Sequence, residues 1–478
     1  MRFSPVIVSL AIGLPVLAQT DVQWTNAAGG SFFDGANWAG GVVPDASQNA
    51  RFALPGTYTV TGGQPWDVVQ VFVPTGDVTL AIFGETGVRA YAMEFGTVGA
   101  VRTVVRAPAR IYSRSSGTLI WVRNADFYSA GVWGHGLRVL DGSSATFTGN
   151  MFDASMSVHV DAASLLRCDN VDLFYANNLQ SSGRIEVVDS YLSLNAMNQT
   201  GGSIHAINSE ISADGVGAQG GVYTFVDSLV RSNIGALNLW LAGEVVFRGS
   251  QAEPRGFVEL QSGRLSLLQG ATSPLNVRLI GESTLYVGSD SSAMSVSMLD
   301  ESIVRISGQG TIGSSQPSGN RLFIATLGTV EFELDALVLP GWAPVLARDV
   351  AGRLAVDLQH ANSLQIGQEV PLIARDLSAG VFSSVDLPVL HGGRALELVY
   401  EPTLVSLRVV ADSTNPCWTA DFDGDGDTGT DADIEAFFAC LAGNCCPACG
   451  RADFDGDGDS GTDADIEAFF RVLAGGSC

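Results

Sequence analysis

Short stretches of alternating apolar and polar residues fill most of the chain, with turn-forming residues between them. From about residue 50 to about residue 320, each stretch is bounded by Gly, Asn, Asp or Ser. Alternation with a period of two is typical of β-strands, because successive side chains point to opposite faces of a sheet. The pattern therefore predicts many short strands and few helices in this region.

One phrase of this pattern repeats along the chain. Residues 183–190, 202–209 and 221–228 align at a spacing of 19, and looser copies follow every 19 to 22 residues up to Ser302. A period near 20 that is built from period-two strands predicts a parallel β-helix, in which each coil buries its apolar face against its neighbours. At roughly 20 residues per coil, the region predicts about 13 coils.

The aligned copies also predict which side chains point inward. Ile185, Ile204 and Tyr223 hold the same position in the three copies, so we expect them to be buried in one stack. A β-sandwich is the alternative, but its strands recur about every 8–12 residues without a longer repeated phrase. Antiparallel pairing of the copies would contradict the β-helix.

The segments on either side of the repeats have the character of caps. The opening segment, 24–44, is rich in Gly and aromatic residues, and the closing segment, 380–410, contains two further alternating stretches. These segments resemble the ends of secreted bacterial β-helix proteins related to autotransporter passengers, and the solenoid resembles that of pectate lyases. The resemblance implies a right-handed parallel β-helix with β caps, which hide the end strands from edge-to-edge aggregation.

The first residues have the pattern of a signal peptide. Arg2 precedes an apolar run from Val6 to Ala18, which ends in a Val-x-Ala cleavage pattern. A membrane span is the alternative, but the run is shorter than the roughly 20 residues that a bilayer requires, and it contains Pro15. We therefore predict export with cleavage near Ala18, a secreted or cell-surface location, and no membrane span in the mature protein.

Acidic residues outnumber basic residues by 50 to 25, and every basic residue is Arg. The formal net charge of −25 argues against a nucleic-acid partner, since phosphates need basic side chains for neutralisation. It also argues against a polybasic membrane anchor.

The C-terminal segment is a tandem repeat of a different kind. Residues 421–438 recur as 453–470 and differ only where Thr428 corresponds to Ser460. Carboxylates at alternate positions suit a hard cation with oxygen ligands, and the glycines between them permit a tight turn. An acidic solvated linker is the alternative, but each acidic run here leads into a capped helix with an apolar face.

This repeat resembles the EF-hand loop and, more closely, the type I dockerin repeat, which has one loop and one helix per copy. The resemblance covers residues 417–478; thrombospondin-type calcium repeats match less well because they lack the helices. It implies two structural Ca²⁺ sites, with backbone oxygen from Asp427 and Asp459. The side-chain ligands would be Asp421, Asp423 and Asp425 in the first loop, and Asp453, Asp455 and Asp457 in the second.

The residue that closes each loop departs from the family pattern. With Asp421 as loop position 1, position 12 is Ala432 instead of an acid. The helix resolves this: Thr430 is a good N-cap, and Asp433 lies three residues later, where the family places its closing acid. We therefore predict a loop one residue longer that Asp433 closes, with Asp431 as the rival. In the second copy the corresponding residues are Asp465 and Asp463.

The dockerin resemblance also implies a partner, which is either a cohesin-like protein or the chain's own solenoid. The family usually has a pair of small hydroxyl residues at the positions that contact cohesin. This chain has Asp431 and Ala432 there, which argues against cohesin binding.

Six of the seven cysteines lie after residue 416, and such a cluster in an exported protein predicts disulfides. Six cysteines allow 15 pairings, so the spacing alone does not decide between them. In the repeat, Cys417 corresponds to Cys449, and Cys446 corresponds to Cys478. Repeat symmetry alone suggests the pairs Cys417–Cys446, Cys449–Cys478 and, from the remaining residues, Cys440–Cys445.

The solenoid sequence carries only fragments of known catalytic sites. Gly134-His135-Gly136 matches part of the polygalacturonase site, but that family also needs an Asp-Asp pair and an Arg-x-Lys, and the chain has no Lys. The lone Cys168 is expected to be a small buried apolar residue. The histidines His159, His205, His360 and His391 lack the spacing of metal ligands.

Acidic residues on neighbouring repeats are candidates for an acid cluster of the lyase type or for a general acid and base. A ladder of polar turn residues is the simpler explanation, because Asp and Asn favour turns. The candidates are Asp169, Asp172, Glu186, Asp189 and Asp227, with Asn208 at the same repeat position as the last two.

Two functions follow from these patterns. One is a secreted or cell-surface β-solenoid without catalytic activity, whose calcium-stabilised tail serves attachment or assembly. The other is an extracellular carbohydrate-active enzyme, a polysaccharide lyase or glycoside hydrolase, with a polysaccharide as its ligand. The missing catalytic set favours the first, whereas the occurrence of dockerin-like tails on polysaccharide-degrading proteins favours the second.

The predicted segments are a signal peptide at 1–18, an N-terminal cap at 19–50, the parallel β-helix at 51–320, a C-terminal β cap at 321–410, a linker at 411–416 and the dockerin-like calcium-binding repeats at 417–478.

Overall fold

The structure is a computed structural model in which the chain divides into two compact units, residues 1–186 and 187–478. The predicted signal peptide, 1–18, and most of the predicted linker lie outside the described residues. These are 20–82, 88–99, 101–108, 111–113, 119–149, 151–152, 156–172, 174–214, 216–232, 240–241, 243–253, 257–313, 322–323, 327–339, 341, 343–375, 380–390, 392–412, 418–447, 449–457 and 459–476.

The first unit is a stack of coils whose strands pair in parallel from one coil to the next. Alternate residues point inward, as in the strand Leu119–Arg123, where Ile120 and Val122 are buried. The first sheet contains Asp21–Gln23, Asn49–Arg51, Gln70–Val73, Ala92–Phe95, Leu119–Arg123, Gly136–Leu140, Met151–Phe152, Ser157–Val160 and Phe174–Ser181; the second contains Gly30–Ser31, Thr57–Gly62, Asp77–Ile82, Thr103–Ala107, Ala125–Ser129, Ser144–Phe147 and Leu165–Asp169; a third contains Trp66–Asp67, Val88–Ala90, Ile111–Ser113 and Val132–Trp133.

Aromatic rings fill much of the interior of this unit. Phe95, Phe127, Phe147 and Phe174 are fully buried, and successive ring centroids lie 4.8, 5.9 and 6.5 Å apart. The opening coil includes two short 3₁₀ helices, Gly35–Asn37 and Ala39–Gly41. Its interior is a second aromatic cluster of Trp24, Phe32, Trp38, Phe52 and Trp66.

The second unit repeats the coil architecture and then adds the C-terminal elements. One sheet contains Tyr191–Gln199, Glu210–Ala213, Val216–Ala218, Leu229–Ser232, Trp240–Leu241, Gln251–Glu253, Phe257–Gln261, Thr272–Ile280, Ser292–Met298, Thr311–Ile312, Leu322–Phe323, Val345–Asp349, Glu369–Arg375, Arg394–Tyr400 and Leu404–Ala411; the other contains Ser203–Ile207, Val222–Val226, Glu244–Arg248, Arg264–Leu268, Thr284–Val287, Ile303–Ser307, Thr329–Asp335, Arg353–Gln359 and Ser384–Asp386. The strand Arg184–Val188 spans the division between the units.

The predicted fold class, a mainly β parallel solenoid with a small helical module, is confirmed. Ser203–Ile207 pairs in parallel with Val222–Val226, so that Ile204 lies opposite Tyr223. Ile185, Ile204 and Tyr223 are each buried, as predicted. The inward column of the second unit continues from Tyr223 through Val245, Leu265, Leu285, Val304, Val330 and Leu354.

A serine ladder runs along one corner of these coils. The amide of Ser190 donates to the hydroxyl of Ser209 at 3.1 Å, and the same contact links Ser209 to Ser228 and Ser228 to Ser250. Each of these hydroxyls donates to the carbonyl two residues before it. The buried corner therefore satisfies its own polar groups, as a stacked interior requires. The residues just before Ser190, Ser209 and Ser228 are Asp189, Asn208 and Asp227, each with a φ of 47°.

The solenoid ends in a segment that we call the cap, residues 353–411, where antiparallel pairs join the last parallel strands. Both Glu369–Arg375 and Arg394–Tyr400 pair antiparallel with Leu404–Ala411. A short 3₁₀ helix, Ala361–Ser363, lies nearby. The cap has its own small core around Leu364, Leu390 and Val409.

The C-terminal module, residues 418–476, contains two α-helices of 11 residues each. We name Asp431–Leu441 α1 and Asp463–Leu473 α2. The stretch 421–430 that precedes α1 is the first loop, and 453–462 is the second loop. No helix among the described residues is long and apolar enough to cross a membrane.

Candidate metal centre

Each acidic loop is held in its turn by hydrogen bonds from its backbone amides to its side-chain carboxylates. Asp421 accepts from the amides of Gly424 and Gly426 at 2.9 and 3.2 Å. Both glycines have positive φ, 77° and 95°, which only glycine adopts without strain. Asp423 accepts from the amide of Asp425 at 3.1 Å. The loop therefore turns tightly and brings its carboxylates together.

The structure gathers one triad of carboxylates in each loop. The triads are Asp421, Asp423 and Asp433 in the first copy, and Asp453, Asp455 and Asp465 in the second, with one oxygen from each residue within 4.8 Å of the others. Three carboxylates at this spacing offer the oxygen ligands that hard divalent cations prefer.

Asp433 is placed in the triad by its position in the first turn of α1. Thr430 is the N-cap of α1, and its side chain accepts from the amide of Asp433, while Asp433 accepts from the amide of Thr430 at 2.8 Å. The other carboxylate oxygen accepts from the amide of Phe422 at 2.7 Å. Asp433 is fully buried, whereas Asp431 is exposed and lies outside the triad. Asp465 has the same capping box in α2, built on Thr462.

The remaining predicted ligands lie at the outer side of the loops. Asp425, Asp427, Asp457 and Asp459 are exposed and do not belong to the triads. They are nevertheless ordered by the turn, because the amide of Asp427 donates to Asp425 at 2.8 Å and that of Asp459 donates to Asp457 at 2.8 Å.

Bringing the carboxylates of the first loop together changes their pKa values. Burial, together with the neighbouring charges of Asp433 and Asp425, raises the pKa of both Asp421 and Asp423 above the usual range. Burial also acts on Asp465, but hydrogen bonds from Thr462 and from the amides of the second loop outweigh it and lower the pKa. A nearby cation would offset the repulsion among the first-loop carboxylates.

One aromatic core joins the two copies. Phe437 of α1 stacks on Phe469 of α2 with centroids 4.1 Å apart. Phe422 and Phe454, which follow the first acid of each loop, complete the core and are fully buried. The loops and helices of both copies therefore depend on one another through this core, which also contains Trp418, Cys440, Cys449 and Ala468.

Of the two disulfides in the described residues, one was predicted and one was not. Cys440 bonds to Cys445, as predicted. Cys446 bonds to Cys449, so the predicted pairs Cys417–Cys446 and Cys449–Cys478 are wrong. A turn in which the amide of Cys449 donates to the carbonyl of Cys446 brings their Cα atoms to 5.1 Å, and this local geometry overrides repeat symmetry. Cys417 and Cys478 lie outside the described residues.

Three of the candidate solenoid acids make contacts with neighbouring polar side chains. Arg167 bonds to Asp169 at 2.7 Å and to Glu186 at 3.0 Å. Burial raises the pKa of Glu186, but hydrogen bonds and charges from Arg184 and Arg167 outweigh burial. The net effect lowers the pKa, so the carboxylate stays ionised. Asp189 accepts from Asn208 at 2.7 Å. A general acid needs a raised pKa instead, which Glu186 lacks; Asp172 is exposed.

No cluster of metal-ligating side chains found among the described residues includes a histidine. His135 is half-buried beside its glycines, and His159 and His205 lie on strands of different units. His360 has its Nδ1 atom 2.9 Å from a carboxylate oxygen of Asp335. His391 lies outside the described residues.

Helical spacing puts Phe438 on the same apolar face as Ile434, Phe437 and Leu441, but the structure exposes it as one of a pair of aromatic side chains. Phe438 of α1 and Phe470 of α2 are 46% and 42% exposed, with ring centroids 6.3 Å apart. They occupy equivalent positions of the two copies. The doubled Phe-Phe in each repeat was the available signal, since only one ring of each pair can face the core.

The chain was compared with protein-family models and with curated proteins, and neither comparison found a match.

Proposed function

We propose that the protein is a secreted or cell-surface β-solenoid whose C-terminal module binds two structural Ca²⁺ ions and serves attachment or assembly. The observation that carries the proposal is the pair of equivalent carboxylate triads, each closed by a buried acid in a capping box. Oxygen ligands and a glycine turn match the preference of Ca²⁺. The signal-peptide pattern and the two disulfides support an extracellular location.

Attachment through the module is supported by Phe438 and Phe470. An exposed pair of neighbouring aromatic rings is typical of a site that a protein partner covers. We propose a cell-surface protein other than a cohesin as this partner, since Asp431 and Ala432 stand where cohesin-binding dockerins carry small hydroxyl residues. Substituting Ser at both positions should release the protein from the cell surface, measured by fractionation of the producing cells, while calcium binding is retained. Unchanged surface association would contradict this role of the pair.

Calcium binding itself is tested by calorimetry on the mature, oxidised chain. We expect two bound Ca²⁺ ions per chain. Asp423→Ala should remove the first site only and Asp455→Ala the second only, because each belongs to one triad. A stoichiometry below one would contradict the proposal.

The loop register has a sharper test in a matched pair of variants. Asp433→Asn keeps the shape of the closing residue but removes its charge, so we expect the first site to bind Ca²⁺ at least about tenfold more weakly. Asp431→Asn removes a charge two residues away, outside the triad, and should change the affinity much less. A larger loss from Asp431→Asn would show that the loop is closed by the other acid.

A further inference from the structure

The module lies against the cap, and Trp418 is at the centre of their contact. Trp418 is 3% exposed, and the guanidinium of Arg394, a cap residue, lies 4.1 Å from a ring centroid of its indole. The indole passes so close to Gly392 that a Cβ atom on this glycine would come within 2.5 Å of the ring. At a second point, Arg451 of the module donates to the side chain of Gln365 in the cap at 2.9 Å.

Arg394 makes this contact specific. Its side chain is buried, and it donates to the carbonyl of Leu364 at 2.6 Å. Burial, together with the nearby charge of Arg451, lowers the pKa of Arg394 to about 10. A desolvated cation is costly unless it is held by oxygen acceptors and an aromatic face. The cap therefore presents a cation whose aromatic partner comes from the module.

A cleft of about 460 Å³ separates the first loop from the cap. On the module side it is lined by residues of the first loop and its entry, which include Asp421 and Asp425. On the cap side it is lined by Asp357, His360 and their neighbours. Among the residues that the structure describes, none from the second loop lines this cleft.

The charge in the cleft is mainly negative. Asp421 and Asp425 face the cleft from the loop and Asp357 faces it from the cap, whereas His360 is already engaged by Asp335. Without a cation, like charges on the two sides oppose the approach of the loop to the cap. A divalent cation in the first triad would remove most of this repulsion.

We propose that calcium in the first loop and docking of the module on the cap stabilise each other, so that the module is a calcium-dependent clasp on its own solenoid. The inference rests on the proposed calcium function. Coupling of this kind is reciprocal, because docking must tighten calcium binding by the same factor by which calcium strengthens docking. The second loop lies outside the cleft, so its affinity should depend much less on docking.

Two neighbouring glycines of the cap provide a matched pair of variants. Gly392 and Gly393 have nearly equal positive φ, 67° and 69°, so alanine strains the backbone equally at both. An alanine Cβ at Gly392 collides with Trp418, whereas at Gly393 its nearest neighbour is a backbone oxygen at 3.8 Å. Gly392→Ala should therefore displace the module, and Gly393→Ala should leave it docked.

The experiment measures each calcium site alone by calorimetry on the full mature chain. Asp455→Ala isolates the first site and Asp423→Ala isolates the second, and each background is combined with either glycine variant. With Gly392→Ala we expect calcium at the first site to bind about fivefold or more weakly than with Gly393→Ala, as typical couplings give. At the second site the two glycine variants should differ by less than about twofold. Equal affinities at the first site would overturn the coupling.

A second variant keeps the test valid if Gly392→Ala does not fold. Asp357→Asn removes the cap's acidic charge from the cleft without changing the module, and it should strengthen docking in the absence of calcium. Hydrogen exchange of cap residues 364–368, compared with and without calcium, reports this docking. In the wild type, removing calcium should increase exchange there, and Asp357→Asn should reduce that increase; no calcium effect on exchange in the wild type would overturn the proposal. Absence of calcium binding at both sites would instead refute the proposed function itself.

Discussion

The solenoid and the C-terminal module are both repeats, but they balance their acidic residues in opposite ways. Solenoid acids lie beside arginines on neighbouring coils, as in the pairs Arg102–Asp126 and Arg305–Glu331 at 2.5 and 2.6 Å. From 417 to 478 there are 14 acidic residues and two arginines. The solenoid therefore pairs part of its acidic residues with its own arginines, whereas the module has too few arginines to do so.

The two regions also differ in how their interiors grow. Each solenoid coil adds to a continuous apolar column, so stability accumulates with the number of stacked repeats. The module has a single core of eight buried residues, which is small for independent stability. Disulfides and bound cations are the usual supplements in domains of this size. The difference predicts that the same treatment will affect the two regions unequally.

Removal of calcium should produce the largest difference between the regions. We expect a chelator to open both loops and unwind the first turns of α1 and α2, since uncompensated carboxylates prevent the loops from closing and binding is coupled to folding. The solenoid should remain folded. Circular dichroism of the mature chain should lose part of its α-helical contribution, which comes from α1 and α2, and retain its β signal. A chain that keeps both signals in chelator would contradict the dependence of the module on cations.

Truncating a core side chain of the solenoid should destabilise the solenoid and leave the module unaffected. Phe247 is 1% exposed and stacks on Phe225 with centroids 4.9 Å apart, so Phe247→Ala should destabilise the solenoid by about 3–5 kcal/mol. Calcium affinity of the module should not change. The control is Thr224→Ala, on a partly exposed position of the adjacent strand. Denaturant unfolding and calorimetry check the two halves of this prediction.

The serine ladder offers a smaller perturbation of the solenoid. Ser228→Ala removes the acceptor of the buried Ser209 amide, and leaving such a donor unsatisfied costs about 1–3 kcal/mol. Ser203→Ala changes a partly exposed serine at the start of a strand and serves as the control. Equal stability of the two variants, measured by denaturant unfolding, would show that solvent replaces the ladder.

The sequence predicts those features that depend on local spacing. The 19-residue phrase predicts parallel coils because every copy must present the same face to its neighbours. The N-cap at Thr430 predicts the place of Asp433, because the capping box fixes a residue three positions later. Both inferences need only neighbouring residues and a known backbone geometry.

Features that depend on distant contacts are not accessible in the same way. Nothing near Trp418 in the sequence indicates that Gly392 and Arg394 lie against it. The bond between Cys446 and Cys449 was missed because repeat symmetry ignores the turn between them. Likewise, which ring of each Phe-Phe pair is buried depends on how α1 packs on α2, which a single repeat does not determine.

The effect that is smallest at neutral pH concerns Cys168, the one cysteine of the solenoid. Its side chain is completely buried, and burial raises the pKa of its thiol from 9.0 to about 12. The unfolded chain therefore releases this proton at lower pH than the native chain, so stability should fall as the pH rises from about 9 towards 12. Cys168→Ala should remove this part of the slope, measured by denaturant unfolding at several pH values. At pH 8 the native thiol should resist iodoacetamide and react only after denaturation, whereas rapid native labelling would show that the coil opens locally.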